Sequence, residues 1–464
     1  MAAAGPEAAD ALVFFGATGD LAYKQIFPAL QSMIRHGKLA VPIVGVAKAG
    51  WTLEDLKRRA HDSLSEHGGV DPDAFAKLSE QLRYIDGDYA DPETFRQLRE
   101  TLGDACRPLH YLAIPPVLFG TVVEALGRSG CAEEGARVVV EKPFGRDLAS
   151  AKELNATLGS VFPEQRIFRI DHYLGKEPVE NLIYFRFANS FLEPIWNREH
   201  VHSIQITMAE AFGVAGRGAF YETAGAIRDV IQNHMLQVLG LLALDAPSPN
   251  SHDGLRNEKA RLMDSIRPLT ADDVVRGQFD GYHDEPGVAA GSTVETYAAV
   301  RLQIDNWRWA GVPIYIRAGK QLPVTACEVL VTLKHPPETI FDAEDDRRRN
   351  TFRFTLSPNV ELALQARAKV VGEQMVGEDV QLVDARVPPA ELPPYERLLG
   401  DAMRGDATLF AREDTVEAAW RVVGAILDDT TPLHSYQPGT WGPAEADRLL
   451  TEDDCWHDPR GPTT

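Results

Sequence analysis

The sequence predicts an α/β domain with a doubly wound parallel sheet, followed by an α+β domain with a large, mostly antiparallel sheet. Through the first part of the chain, short continuous apolar runs alternate with helical patterns, which is typical of parallel strands joined by helices. Later strands instead alternate apolar and polar residues, as strands with one solvated face do. The 464 residues correspond to two or three domains of roughly 150 residues. We expect domains over residues 1–176 and 177–464.

The first predicted strand is Ala11–Phe15, in which five apolar residues run directly into a glycine turn. A helix is expected over Asp20–Arg35, because apolar residues recur there at helical spacing and Gly37 can end the helix. The same alternation continues to residue 140. It predicts strands over residues 41–47, 82–85, 109–114 and 137–140, with helices over residues 53–64, 95–102 and 119–127.

The second part begins with a strand over His202–Met208, where apolar and polar residues alternate strictly. Alternation of this kind indicates a strand with one buried face in an antiparallel sheet. Further strands are expected over residues 293–304, 329–334, 351–356 and 361–368. Long helices are expected over Phe220–Leu244 and Thr415–Leu427.

Composition and charge exclude several classes of protein. The hydrophobic fraction of 44% and the charged fraction of 25% are globular values, unlike those of a disordered chain or a coiled coil. The formal net charge of −21 argues against a nucleic-acid partner or an anionic-membrane partner. No apolar run approaches the ~18 residues that a membrane span needs.

Cysteine spacing and the first residues favour the cytoplasm. Cys106, Cys131, Cys327 and Cys455 are far apart and contain no Cys-x-x-Cys pair, so they predict neither a disulfide framework nor a zinc site. Residues 1–10 lack the basic and apolar segments of a secretion signal. No metal is expected, because His200 and His202 could offer two ligands on one face of a strand but no third ligand is evident nearby.

A glycine motif lies between the first strand and the first helix. Its residues are Gly16, Ala17, Thr18, Gly19, Asp20 and Leu21. Glycines there allow a tight turn and a close approach to a pyrophosphate, and the following helix offers N–H groups and the positive end of its dipole. The motif predicts dinucleotide binding, with a merely tight structural turn as the alternative.

Lys48 follows the second strand, where enzymes that use NAD usually carry an acid for the ribose 2′-hydroxyl. A cation at this position favours a 2′-phosphate, so NADP is the expected cofactor. Lysine lacks the planar fork of arginine, and use of NAD stays open. The alternative is a solvated surface lysine.

Glu141 and Lys142 begin the run Glu-Lys-Pro-Phe-Gly after the strand over residues 137–140. The carboxyl ends of parallel strands are where open α/β folds bind ligands. Lys142 can therefore hydrogen-bond a substrate hydroxyl or the carboxamide of a cofactor. An ordinary ion pair at the end of a strand is the alternative.

The run from Arg169 to Lys176 carries an acid, an imidazole, a phenol and an ammonium group close together. His172, Tyr173 and Lys176 can hold a phosphoryl group through charge-assisted hydrogen bonds, although a polar surface turn is the alternative. Asp171 cannot help to hold a phosphate and is suited to orienting a histidine.

His234 is the candidate for that histidine. It shares one face of the long predicted helix with Ile227, Ile231 and Val238. A lone histidine on an apolar face is usually a core residue, but an imidazole can also be tuned to act as a general base near neutral pH.

These motifs, together with Ile316-Arg317-Ala318-Gly319-Lys320, resemble those of the glucose-6-phosphate dehydrogenase family. They occur in the family's order, and the run Asp-His-Tyr-Leu-Gly-Lys is very specific. The resemblance implies a Rossmann domain followed by a β+α domain that forms a dimer interface. It also implies glucose 6-phosphate as the substrate and a homodimer or homotetramer as the assembly.

The resemblance further implies a role for each matching residue. His234 resembles the general base that takes the proton of the C1 hydroxyl, and Asp171 resembles its carboxylate partner. The implied substrate-binding residues are Lys142, His172, Tyr173, Lys176, Glu210, Asp229 and Lys320. The implied cofactor-binding residues are Gly16, Ala17, Thr18, Gly19, Asp20, Leu21, Lys48 and Lys142.

The implied reaction oxidises D-glucose 6-phosphate to 6-phospho-D-glucono-1,5-lactone with hydride transfer to NADP, the first step of the oxidative pentose phosphate pathway. Two alternatives are another NAD(P)-dependent sugar dehydrogenase and a non-catalytic NADP-binding redox sensor. The run around Asp171 disfavours the first, and the second would not need His234. The chain departs from the family at Lys48, where arginine is frequent, and at Thr325, where a basic residue is frequent.

Overall fold

The computed structural model describes residues 8–214, 216–248, 253–337, 348–373, 375–386 and 394–461. The chain divides into two compact units, and the first break follows Lys176. The first unit comprises Met1–Lys176 and Glu391–Glu417, and the second comprises Glu177–Ala390 and Ala418–Thr464. The segment Glu391–Glu417, expected from the sequence in the second domain, therefore belongs to the first unit.

The first unit contains a parallel sheet. Its strands are β1 (Ala11–Phe15), β2 (Ile43–Ala47), β3 (Leu82–Asp86), β4 (Pro108–Leu112), β5 (Arg137–Glu141) and β6 (Ile167–Ile170). In the described residues the order is β3-β2-β1-β4-β5-β6, and every neighbouring pair is parallel. This order confirms the predicted doubly wound sheet.

The helices lie between and after these strands. The α-helices are α1 (Phe27–Arg35), α2 (Leu53–Glu66), α3 (Pro72–Gln81), α4 (Pro92–Leu102), α5 (Phe119–Arg128), α6 (Leu148–Gly159), α7 (Glu177–Ala188), α8 (Gly218–Ala226), α9 (Leu236–Ala243), α10 (Gly254–Ser265), α11 (Pro394–Arg404) and α12 (Glu413–Val423). Side chains of Thr52, Asp71, Asp91 and Asp147 cap the amino ends of four of them. These caps satisfy N–H groups that would otherwise lack partners.

Helix α11 explains why the chain returns to the first unit. Leu398, Leu399 and Ala402 are buried in the same apolar core as the residues of α1. Glu396, also buried, accepts a hydrogen bond from the Ser32 hydroxyl at 2.5 Å and pairs with Lys38 at 3.1 Å. The amphipathic pattern of this helix was compatible with either unit, so only the packing decides its place.

The second unit contains a large mixed sheet. Its strands are β7 (Val201–Ala209), β8 (Val274–Phe279), β9 (Tyr297–Leu302), β10 (Ile314–Gly319), β11 (Ala326–Leu333), β12 (Thr351–Ser357), β13 (Val360–Lys369), β14 (Gly377–Arg386) and β15 (Leu433–Tyr436). Among the described residues the order is β14-β13-β12-β11-β7-β10-β9-β8-β15. Only the pairs β7–β10 and β8–β15 of this sheet are parallel, which confirms the mostly antiparallel prediction for the described part.

The long helix predicted over Phe220–Leu244 is instead three segments. Helix α8 bends at Gly225, whose φ of 64° is left-handed, and α9 begins only at Leu236. Between them, Ile227–Met235 is wound as a π-helix. The prediction of a single α-helix was wrong because apolar periodicity does not distinguish α winding from the wider π winding.

In the described part of the chain, no helix combines the length and the apolar character that a bilayer crossing would require.

Candidate active site

The glycine motif forms the turn between β1 and the first helical segment. Gly16 has a φ of 82°, and a methyl group on it would collide with the carbonyl oxygen of Ala113. The Gly16 N–H donates to the Val46 carbonyl at 2.9 Å, and the Gly19 N–H donates to the Gly16 carbonyl at 2.9 Å. The backbone is thus held in a tight, open turn that only glycine permits at position 16. Such a turn suits a pyrophosphate.

The helix that follows this turn begins with a π-helical segment over Ala22–Ile26 before α1. Asp20 is exposed at its start and lies 3.9 Å from the Lys24 ammonium group. Amide groups in the first turn of a helix have no partner within the helix and favour anions. The start of this helix therefore fits a phosphate-bearing cofactor, as the sequence predicted for a dinucleotide.

Lys48 lies directly after β2, at the same edge of the sheet as the end of β3. Its ammonium group is 2.7 Å from the Asp88 carboxylate, and both side chains are largely exposed. Asp86 accepts hydrogen bonds from the N–H groups of Ala49 and Gly50, each at 2.8 Å. The hydrogen bond with Lys48 lowers the pKa of Asp88, and the Ala49 N–H lowers the pKa of Asp86. Both carboxyl groups are ionised at neutral pH.

Glu141, the last residue of β5, lies directly before Lys142. Its carboxyl group accepts a hydrogen bond from the Tyr111 hydroxyl at 2.5 Å and another from the Tyr395 hydroxyl. Burial raises the pKa of Glu141 to about 7, although both tyrosine hydrogen bonds oppose the shift. The sequence motif predicted a role for Lys142. In the structure, the preceding residue, Glu141, is fixed at the end of β5 by hydrogen bonds from two tyrosines.

Residues 171–176 form a compact turn after β6. Asp171 is 2% exposed, and its carboxylate accepts the N–H of Tyr173 at 3.0 Å. The Lys176 ammonium group lies 3.8 Å from the centre of the Tyr173 ring, and the His172 ring meets that ring edge-on. The three residues predicted to bind a phosphate are therefore neighbours in space. The Lys176 N–H closes the turn by donating to the Tyr173 carbonyl at 3.1 Å.

Helix α11 supports both of these loops. Tyr395 reaches Glu141, and a methyl group on Gly175 would come within 2.9 Å of Leu398. Sequence reasoning missed this contribution, because α11 follows Lys176 by more than 200 residues and carries no recognisable motif. A tyrosine near the start of a late amphipathic helix was the only available signal.

Lys320 and Glu210 lie together in the second unit. Strands β7 and β10 are parallel and pair Ala209 with Gly319, so the residues that follow them emerge at the same edge. The Lys320 ammonium group is 2.5 Å from the Glu210 carboxylate, and both side chains are mostly buried. The hydroxyl of Thr325 accepts the N–H of Ala211 at 3.0 Å and so supports the backbone beside Glu210. Thr325 thus supports this region without a charge.

Asp229 and His234 both lie in the π-helical segment Ile227–Met235. Hydrogen bonds in such a segment join residues five apart, so positions 229 and 234 come to one side of the helix. In an α-helix, residues five apart would point about 140° away from each other. His234 is 2% exposed. The π winding is what brings these two predicted residues to a common side.

Glu295 holds the start of this segment. Its carboxylate accepts the Ile227 N–H at 3.0 Å, while its carbonyl accepts the Ala226 N–H at 3.0 Å. A methyl group on Gly225 would collide with the same carboxylate. Burial raises the pKa of Glu295, and Arg276 at 3.5 Å opposes that shift. Sequence reasoning missed Glu295 because it lies 61 positions beyond His234 in a loop before β9.

Comparison with known proteins adds independent findings. A family profile described as "Glucose-6-phosphate dehydrogenase, NAD binding domain" matches residues 13–181, and one described as the C-terminal domain of the same enzyme matches residues 183–457. The chain is 44% identical over 456 residues to glucose-6-phosphate 1-dehydrogenase 1 of Mycobacterium tuberculosis (strain ATCC 25618 / H37Rv). That alignment covers 98% of this chain and 97% of the relative.

Two solved structures are similar along nearly the whole chain. Glucose-6-phosphate 1-dehydrogenase from Mycobacterium avium has a TM-score of 0.92 and 44% identity, and the match covers 99% of this chain and 100% of that one. A glucose-6-phosphate dehydrogenase in complex with its substrate glucose-6-phosphate has a TM-score of 0.89 and 33% identity, with coverages of 97% and 100%. With both domain profiles and relatives this similar, the chain belongs to the glucose-6-phosphate dehydrogenase family.

Proposed function

We propose that this chain oxidises D-glucose 6-phosphate to 6-phospho-D-glucono-1,5-lactone and reduces a pyridine nucleotide. The observation that carries the proposal is the turn after β6, where His172, Tyr173 and Lys176 lie together beside the buried carboxylate of Asp171. An imidazole, a phenol and an ammonium group together can hold a phosphoryl group. Membership of the family supports the reaction.

The proposed chemistry needs one base and one acceptor. His234 takes the proton of the C1 hydroxyl, and Asp171 orients the imidazole and stabilises its protonated form. A nicotinamide cofactor, when bound, would supply the acceptor for the hydride that leaves C1 of the sugar. His172, Tyr173 and Lys176 hold the 6-phosphate, while Glu210, Asp229, Lys142 and Lys320 bind the remaining polar groups of the substrate. Proton removal and positioning are the protein's contributions.

Within the described part of the first unit, the residues fit a dinucleotide. The turn at Gly16 leaves room that a side chain would fill, and the amino end of the following helix favours an anion. We propose that Gly16, Ala17, Thr18, Gly19, Asp20 and Leu21 hold the pyrophosphate. We propose that Lys142, which directly follows β5, contacts the nicotinamide end of the cofactor.

We propose NADP as the preferred cofactor, with NAD as a second one. Lys48 supplies a cation after β2, where a 2′-phosphate would be recognised. Its exposure and its ion pair with Asp88 support only a modest preference.

We further propose that residues 1–176, with the returning segment 391–417, form the dinucleotide-binding domain. Residues 177–390 and 418–464 supply the other substrate-binding residues and form a homodimer or homotetramer. The matches of the two family profiles to residues 13–181 and 183–457 support this division. The excess of acidic residues supports an enzyme without nucleic-acid or anionic-membrane partners. The four cysteines are far apart and contain no Cys-x-x-Cys pair, which supports a cytoplasmic location.

The test measures the absorbance of reduced nicotinamide with glucose 6-phosphate and either cofactor, for the full chain and for His234→Asn. A general base contributes typically a hundredfold to ten-thousandfold, so kcat should fall by about that factor while the Kd for glucose 6-phosphate changes little. His200→Asn is the matched control, because His200 is an exposed histidine of the same unit.

Three outcomes would contradict the proposal. Near-normal turnover in His234→Asn would remove the base assignment. Reduction of NADP by other sugars but not by glucose 6-phosphate would favour another sugar dehydrogenase. NADP binding without any sugar oxidation would favour a redox sensor.

A further inference from the structure

We propose that Asp88 is a specificity-determining residue that weakens the preference of this chain for a cofactor with a 2′-phosphate and thereby lets it use NAD as well. The proposal rests on the proposed function, because it concerns the cofactor of that same reaction. It assigns a role to a residue that carries no motif and was not among the cofactor-binding residues predicted from the sequence.

The sheet register places Asp88 beside Lys48. Strands β2 and β3 are parallel neighbours, and Ala47 is paired with Asp86 at their carboxyl ends. The chain continues from these ends to Lys48 and Asp88, which meet at 2.7 Å between ammonium nitrogen and carboxylate oxygen. The second oxygen of Asp88 accepts the Ala90 N–H at 2.9 Å, which anchors the carboxylate in the loop. The cation expected to read a 2′-phosphate therefore has an anchored anion as its partner.

The backbone N–H groups of the loop after β2 also have a carboxylate, that of Asp86, as their partner. Asp86 takes the N–H groups of Ala49 and Gly50, and it receives the Tyr84 hydroxyl at 3.0 Å. These two amides follow Lys48 directly and are donors that a phosphate would otherwise accept from. Two ionised carboxylates thus lie close to Lys48, the residue proposed to bind a 2′-phosphate.

Helix α2, which begins shortly after this loop, does not offset these anions. Its basic side chains already face carboxylates, in the pairs Lys57–Glu54, Arg58–Asp55 and Arg59–Asp20. Each of these three cations is therefore already close to an acid.

The two cofactors make opposite demands on the Lys48–Asp88 pair. A 2′-phosphate carries about 1.5 to 2 negative charges at neutral pH, so it attracts Lys48 and repels Asp88. A ribose 2′-hydroxyl is neutral and needs an acceptor, which is the role an acid plays in enzymes that use NAD. Lys48 therefore favours NADP, and Asp88 favours NAD. The relative affinity for the two cofactors therefore depends on both residues together.

The experiment compares Asp88→Asn with the unaltered full chain at low ionic strength. We expect the ratio of the Kd for NAD to the Kd for NADP to rise about three- to tenfold, because the substitution removes one exposed negative charge beside the lysine proposed to bind the phosphate. The ratio of kcat/KM for the two cofactors should rise by a similar factor. Both increases should shrink in high salt, which screens exposed charges.

Asp104→Asn is the matched control. Asp104 is exposed in the same unit, precedes β4 at the opposite edge of the parallel sheet, and its removal changes the net charge equally. Asp88→Ser is a second variant, since a hydroxyl can still accept the Ala90 N–H. A rise in the ratio in both Asp88 variants but not in Asp104→Asn supports the proposal.

A ratio within twofold of the unaltered chain in both Asp88 variants overturns the proposal. An equal rise in Asp104→Asn also overturns it, because net charge alone would then account for the change. The binding measurement needs no turnover. If the chain bound both cofactors but did not oxidise glucose 6-phosphate, the proposed function would fail while the role of Asp88 would still be decided.

Discussion

Two lysine–carboxylate pairs in this chain have almost the same geometry and very different surroundings. Lys48 and Asp88 in the first unit are 2.7 Å apart with side chains 72% and 46% exposed, whereas Lys320 and Glu210 in the second unit are 2.5 Å apart with 11% and 15% exposed. Water and salt screen the first pair, so it contributes little to stability and can exchange partners. The second pair is shielded, so the loss of one partner leaves a charge that water reaches poorly.

The surroundings of Lys320 show how this shielding arises. Its ammonium group lies 4.9 Å from the centre of the Phe212 ring and 5.6 Å from that of Tyr221. The Lys320 carbonyl accepts the Tyr436 hydroxyl at 2.7 Å, which holds the backbone as well. Lys48, in contrast, lies in a surface loop after β2. The distance between the charged atoms therefore does not show whether an ion pair is shielded and fixed in place or is exposed and able to exchange partners.

Among the changes in stability, the largest is expected from Glu210→Gln, which removes the partner of a mostly buried lysine. We expect the free energy of unfolding to fall by about 2 kcal/mol, less than a fully buried pair would lose because some exposure remains. Urea unfolding of this variant and of Asp88→Asn measures the contrast, and the latter should change by less than about 0.5 kcal/mol. Equal losses in both variants would remove the distinction between the two pairs.

Burial also controls the charge of a carboxyl group in the first unit, that of Glu141. Glu141 has its pKa raised by burial to about 7, above the ordinary value of about 4.3 for an unfolded glutamate. The folded protein therefore binds this proton more tightly than the unfolded chain does. Its contribution is fully present below about pH 4 and is lost as the pH rises towards 7.

Glu141→Gln should remove this part of the pH dependence. Between about pH 4 and 7, the free energy of unfolding should fall in both proteins. We expect this fall to be smaller in the variant than in the unaltered chain by about 2 kcal/mol. Glu134→Gln, an exposed glutamate of the same unit, serves as the control. If the slope of the unfolding free energy against pH were the same in Glu141→Gln as in the unaltered chain, the Glu141 carboxyl group would be as well solvated as the exposed Lys48–Asp88 pair.

The smallest effect is expected from Lys48→Arg. Arginine keeps the charge but offers a planar fork that suits phosphate, so the ratio of kcat/KM for NADP over NAD should rise about two- to fivefold. The stability should not change measurably, because the pair with Asp88 is exposed. An unchanged ratio would indicate that residue 48 does not contact the 2′-phosphate.

Local motifs account for the parts of the fold and site that could be predicted from the sequence. The turn at Gly16 and the group formed by His172, Tyr173 and Lys176 involve residues within a few positions of one another, so backbone geometry alone brings them together. The strands β1 and β2 were predictable for the same reason, since continuous apolar runs indicate buried parallel strands. Strand β6 was missed, because it is four residues long and contains Arg169, whose charge is neutralised by Glu164.

The pairs that set the electrostatics were not predictable, because each joins distant parts of the chain through a sheet register or a returning helix. Lys48 meets Asp88 because β2 and β3 are in register, and Lys320 meets Glu210 because β7 and β10 are parallel. Glu141 depends on Tyr395 of α11, which no pattern assigned to the first unit.

The sequence by itself determined which chemical groups this protein presents: a glycine turn after the first strand, a cluster of an imidazole, a phenol and an ammonium group, and a histidine in a helix. Only the tertiary structure decided how strongly each charge acts, whether residues 229 and 234 share a side of their helix, and which acid accompanies each lysine. The physical reason is that residue identity sets the chemistry of a group, while burial and register set its solvation and its neighbours.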